Sequence, residues 1–236
     1  MLRLAVQAID HNFRAVLLYI GIHVSVSSVT FFVSRTFLRP LEGEDPTTLM
    51  NTLDIGLNVI DGIAWAIAQC VAFAWIGRNL DKPNWKIATA GESLKRFFGF
   101  WLLMDLIGVL TFRFFIYSVN AGADASIVLW LPIFYGSATI PLGAAIMFYQ
   151  RVGREEIGQA LRTLGHQFPR TLLVVCIAGA GFIFLNMIML QTTGFPFAMP
   201  LISIIDSVLD CFIFSCTWII CMYYREESEN DSDIDF

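Results

Sequence analysis

The stretch Thr171–Leu190, TLLVVCIAGAGFIFLNMIML, decides the fold. Twenty residues at 1.5 Å of rise make a helix about 30 Å long, the thickness of a bilayer's hydrocarbon layer. Working outward, five more runs have this length and apolar character: Ala15–Leu38, Ile55–Gly77, Phe98–Val119, Ile127–Tyr149 and Leu201–Tyr224. The expected fold is all-α: a polytopic membrane protein with six transmembrane helices and one integral membrane domain over residues 1–224. Composition excludes a water-soluble helical globule, because 56% of residues are hydrophobic, 15% are charged and the mean hydropathy is +0.66. A soluble surface needs far more polar area. The first run follows a short Arg-containing head and is too long for the core of a cleavable signal, so it is expected to stay as the first span.

The five cysteines all fall inside spans, with no CxxC spacing and no clustering with histidine. They read as small packing residues, not as disulfides or metal ligands. No metal, cofactor or catalytic motif stands out, and nucleic acid is not an expected partner.

Basic residues sort by side. With a cytoplasmic N-terminus, twelve of the 15 lie on the inner face. Arg35, Arg39 and Arg113 fall towards the outside. This bias places both termini in the cytoplasm and the protein in a bacterial inner membrane. The first outer connection, with Glu42, Glu44 and Asp45, is acidic. Residues 225–236, REESENDSDIDF, hold one base and six acids and so carry the whole net charge of −5. Such a run is expected to be a disordered, solvated tail.

Three inner-face segments resemble one another: LAVQAIDHNFRAVLL, TAGESLKRFFGFWLL and QALRTLGHQFPRTLL. Aligning Phe13, Phe98 and Phe168 superposes Ala5, Ala90 and Ala160, then Ile9, Leu94 and Leu164, then Leu17, Leu102 and Leu172. Positions four apart form one helical stripe. The expectation is three interfacial amphipathic helices on the cytoplasmic side, in a threefold repeat over about 1–77, 84–150 and 155–224. Their bases Arg14, Lys95, Arg96, Arg162 and Arg170 are candidates for gripping anionic lipid headgroups.

Ionisable groups at membrane depth need a partner or a purpose. The candidate network is Asp61, Arg113, Asp206, Asp210, His23 and Asp105. Matching depths predict Arg113 between Asp61 and Asp206, with His23 facing Asp105. Asp210 lies one turn from Asp206 with no base left at its level. Two carboxylates so placed repel, so one is expected to hold a proton or a cation. Pro132 and Pro141 are predicted to break the hydrogen-bond ladder of the fourth span. Gly179 and Gly181 give the fifth span a flat face for close helix approach, within the bundle or to another subunit.

The segments Ala8–Leu18 (AIDHNFRAVLL), Leu129–Phe148 (LWLPIFYGSATIPLGAAIMF) and Ala160–Leu173 (ALRTLGHQFPRTLL) carry a resemblance to YciC-type bacterial inner-membrane proteins. They also resemble the related membrane domain joined to some glycerophosphodiester phosphodiesterases. The resemblance rests on pattern over nearly the whole chain and implies six helices with cytoplasmic termini. It carries over no catalytic residue, and the acidic tail departs from it. The leading expectation is a non-enzymatic membrane-organising or accessory protein that packs against membrane lipids, other integral proteins or a second copy. The alternative is a small proton- or cation-coupled transporter or permease component using Asp206 and Asp210.

Overall fold

The computed structural model describes residues 1–38, 48–191 and 198–232, and all regular structure among them is helical. The chain runs through α1 (Leu2–His11), α2 (Phe13–Phe37), α3 (Thr48–Leu80), α4 (Ala90–Asn120) and α5 (Ala125–Val128). It continues through α6 (Trp130–Phe148), α7 (Arg154–His166), α8 (Phe168–Gln191) and α9 (Ala198–Ser232). Six of these, α2, α3, α4, α6, α8 and α9, are long and apolar enough to cross a membrane. The protein is therefore an all-α polytopic chain with a helix at each expected span, although α3 and α4 begin seven and eight residues earlier, and α9 ends eight residues later, than expected. Phe32, Leu110, Phe134 and Phe184 stand more than half exposed on the outside of the bundle. Hydrocarbon suits such a surface and water does not.

The six spans close into a ring in chain order, each packed on the next, with α9 returning to α2. Near the end that holds the α3–α4 and α6–α7 connections, the ring's centre is filled. Phe73 stacks on Phe214 at 4.3 Å between centroids, Trp101 meets Phe73 at 5.5 Å, and Trp218 meets Phe148 at 5.3 Å. Glycines let these rings in. A Cβ on Gly77 would lie 2.6 Å from Trp218, and one on Gly143 would collide with Trp101. This end also carries α1, α7 and the bases beside them, and we call it the basic end.

Two of the three amphipathic segments form separate helices, α1 and α7, and the middle one does not. Asn12 and Gln167 end α1 and α7, and the Asn12 amide group donates to the Ala8 carbonyl at 2.8 Å. Pro169, lacking an N–H, reinforces the second break. The matching residue in the middle segment is Phe97, wholly buried, with nothing to compete for the backbone. There the helix runs unbroken from Ala90 into the span. It starts where Thr89 accepts from the Glu92 N–H at 3.2 Å, while the Glu92 carboxylate accepts from the Ala88 N–H at 3.1 Å.

The acidic run also departs from expectation. α9 continues to Ser232, so residues 225–232 are helical and not disordered. Anchors explain it. Arg225 donates twice to the buried Asp81, at 2.7 and 2.9 Å, and Glu227 lies 3.7 Å from Arg170. Residues 233–236 and the acidic outer loop with Glu42, Glu44 and Asp45 lie outside the described residues.

In the fourth span the ladder breaks at Leu129, between α5 and α6. Pro132 cannot donate to the Val128 carbonyl, which places the break one turn ahead of it. Pro141 sits inside the continuous α6, among buried residues. The Gly181 face is used within the bundle, since a Cβ there would collide with Leu209 of α9. Gly179 faces Ser137 of α6 at ordinary contact distance.

Candidate functional site: an acid-lined cavity within the membrane

Away from the basic end the ring is hollow. Tyr135 packs on Gly108 and Phe182 on Gly136, and a cavity of about 390 Å³ remains between α3, α4, α6, α8 and α9. Its deepest α3 residue, Gln69, lies about 16 Å along the helix axis from Leu80, close to the middle of the layer. Trp65, Phe112, Tyr135 and Phe182 form much of its wall.

Four carboxylates reach this space: Asp61 from α3, Asp105 from α4, and Asp206 and Asp210 from α9. The sequence placed all four inside the membrane, and the fold brings them to one cavity. Their partners differ from those expected. Arg113 also lines the cavity but pairs with Asp54, not with Asp61 or Asp206. Asp54 lies two turns nearer the helix end than Asp61, so the long guanidinium stem stretches away from the hydrocarbon centre. Ser34 of α2 donates to the same carboxylate at 3.3 Å. Asp61 and Asp206 are left without a guanidinium partner among the described residues.

His23 does not face Asp105. Its helix, α2, packs on α3 and α9, whereas Asp105 belongs to α4, which α2 does not touch among the described residues. Instead His23 Nδ1 lies 2.6 Å from Ser207 Oγ and its Nε2 is 4.0 Å from Asp206. Asp105 accepts from the Gln69 amide at 3.5 Å.

Asp210 has a neighbour that charge counting missed. The Tyr19 hydroxyl donates to Asp210 Oδ2 at 2.9 Å from the far side of α9. Tyr19 and His23 are four residues apart on α2, as Asp206 and Asp210 are on α9. The two pairs therefore meet rung for rung along the α2–α9 seam. That matching i, i+4 spacing was the available signal. Three acceptors at the cavity wall, Asp61 Oδ1, Asp105 Oδ2 and Gln69 Oε1, are buried without a hydrogen-bond partner, as is the donor Trp65 Nε1. A polar atom in that condition costs about 1–3 kcal/mol, so this wall carries unmet hydrogen-bonding capacity.

The basic end uses some of its own charges. Arg96 pairs with Glu92 at 2.6 Å and donates to the Gln150 carbonyl. Arg170 lies beside Glu227 and 4.9 Å from the centroid of the Tyr223 ring. Arg14, Lys95 and Arg162 are exposed, with no ion pair among the described residues.

No family model, no curated protein and no solved structure matches this chain.

Proposed function

We propose that this integral membrane protein binds a proton or another cation in the acid-lined cavity and moves it, as a small proton- or cation-coupled transporter or permease component. One observation carries the reading: four carboxylates line a single intramembrane cavity whose one arginine is committed to Asp54. Uncompensated carboxylates in a low-dielectric space favour positive charge strongly. Asp206 and Asp210 are the proposed coupling pair. They repel one another across one helical turn, and Tyr19 and His23 hold them from behind.

The reading is non-enzymatic. Among the described residues, the nearest approach to a nucleophile–base pair is Ser207 with His23. Ser207 is wholly buried outside the cavity wall, and its Oγ also bonds the Ser203 carbonyl at 2.7 Å. The proposed setting is a bacterial inner membrane with both termini, and so the basic end, in the cytoplasm.

The test is a pH jump across proteoliposomes enclosing a pH-sensitive dye. Wild-type protein should speed proton entry, and Asp210→Asn should abolish the effect. Equal flux in the variant would reject the coupling role.

A second reading rests on a separate observation. Leu2, Leu4 and Val6 stand exposed on α1, close to the exposed Arg3 and Arg14. That pattern suits a helix lying among anionic headgroups, at about 1 kcal/mol per base near the surface, and it supports membrane organisation by lipid contact. Replacing Arg14, Lys95 and Arg162 together with Gln should reduce co-purified anionic lipid. Unchanged lipid content would reject it.

A further inference from the structure

The proposed function leaves the cation unnamed, and the cavity's construction narrows it. A dehydrated metal ion needs several oxygens converging within about 2.0–2.6 Å. Among the described residues, no three His, Cys, Asp or Glu side chains come close enough to hold one. A proton needs no volume at all. About 390 Å³ corresponds to roughly a dozen waters' share of liquid. Leaving that space unfilled between mainly aromatic and aliphatic walls costs packing that a proton site would not require.

Charge and π-faces instead occur together. Asp61 and Asp105 stand on adjacent helices, each with one buried carboxylate oxygen unpaired. Gln69, only 3% exposed, adds an unpaired carbonyl oxygen beside Asp105. Trp65 and Tyr135 line the same space, and ring faces attract cations. Spread-out negative charge with aromatic walls fits a cation whose charge is cushioned by carbon.

We propose that the cavity takes a monovalent organic ammonium ion, its charge held between Asp61 and Asp105 and its apolar body against Trp65, Tyr135 and Phe182. The inference rests on the cation reading above and assigns that site its substrate class. It keeps the ligand's counter-charges apart from the Asp206–Asp210 pair, which serves the coupling step.

The test is equilibrium binding of radiolabelled tetraethylammonium to the full chain in lipid nanodiscs. Wild-type protein should bind it saturably, and benzyltrimethylammonium should displace it. Sodium and magnesium at matched ionic strength should not. Asp105→Asn should weaken binding about tenfold or more, and Trp65→Leu about threefold or more. Asp10→Asn, on the exposed face of α1, should leave it unchanged. Thermal melting of each variant confirms folding, and Trp65→Leu carries the test should Asp105→Asn fail to fold. Absent saturable binding, equal affinity in Trp65→Leu, or displacement by sodium would each overturn the assignment. Loss of proton flux in Asp210→Asn, with no tetraethylammonium binding, would reject only the ligand class. Failure of both experiments would reject the cation reading too.

Discussion

Removing either side of the Arg225–Asp81 contact should unfasten α9 from the α3–α4 connection. The Asp81 side chain is 5% exposed and that of Arg225 is 27% exposed. Two hydrogen bonds of 2.7 and 2.9 Å join them, Asn84 donates a third to Asp81 at 2.8 Å, and the guanidinium lies 5.0 Å from the Phe148 ring centroid. Truncating one member of a fully buried pair costs about 3–5 kcal/mol. Water still reaches part of Arg225, which brings Arg225→Ala down to about 2–3 kcal/mol. Asp81→Ala should cost a similar amount, since it also strands the Asn84 amide. The double variant should lose less than the two singles together, with a coupling of about 2 kcal/mol. Reversible unfolding in mixed micelles of rising dodecyl sulfate fraction, followed by tryptophan fluorescence, measures all four corners of the cycle. Strictly additive losses, or single variants within about 0.5 kcal/mol of wild type, would refute the argument.

Other outcomes follow from the same packing and can be read in the same unfolding assay. Gly143→Ala should destabilise by about 1–3 kcal/mol, because the buried Trp101 ring cannot move aside. Arg113→Ala should cost about 1 kcal/mol or less, since its pair with Asp54 is partly exposed; a loss like that of Arg225→Ala would restore the buried bridge to Asp61 and Asp206. Tyr19→Phe should cost about 1–2 kcal/mol through its bond to Asp210 and less in an Asp210→Ala background. Gln150→Ala should destabilise by about 1–2 kcal/mol. That side chain joins the Lys86 N–H and the Asn84 carbonyl, both at 2.7 Å, across two connections.

The spans were legible because hydrophobic length is a local property, readable without knowing any neighbour. So was the set of carboxylates at membrane depth. Their partners were not, because pairing depends on which helices touch and how each is rotated. His23 was matched to Asp105 by depth alone, and the ring order keeps α2 from α4. Asp54 escaped notice by one residue. The expected second span began at Ile55, whereas α3 starts at Thr48 and carries the aspartate that Arg113 chooses. Tyr19 escaped because a phenol holds no formal charge, although its hydroxyl is the donor that Asp210 uses. The helical start of the acidic run was hidden for a related reason. Composition argued for solvation, while the anchors at Asp81 and Arg170 belong to distant parts of the chain.

The packed rings of Phe73, Trp101, Phe214 and Trp218 form a plug between the cavity and the basic end. Under the proposed transport role, a solute held in the cavity reaches the basic end only if those rings part. Crossing would then be timed by the loosening of an aromatic plug, not by the affinity of the chamber above it. Bulkier replacements at Gly77 or Gly143, where the plug is seated, would drive Trp218 or Trp101 out of place and so unseat the plug at a cost in stability.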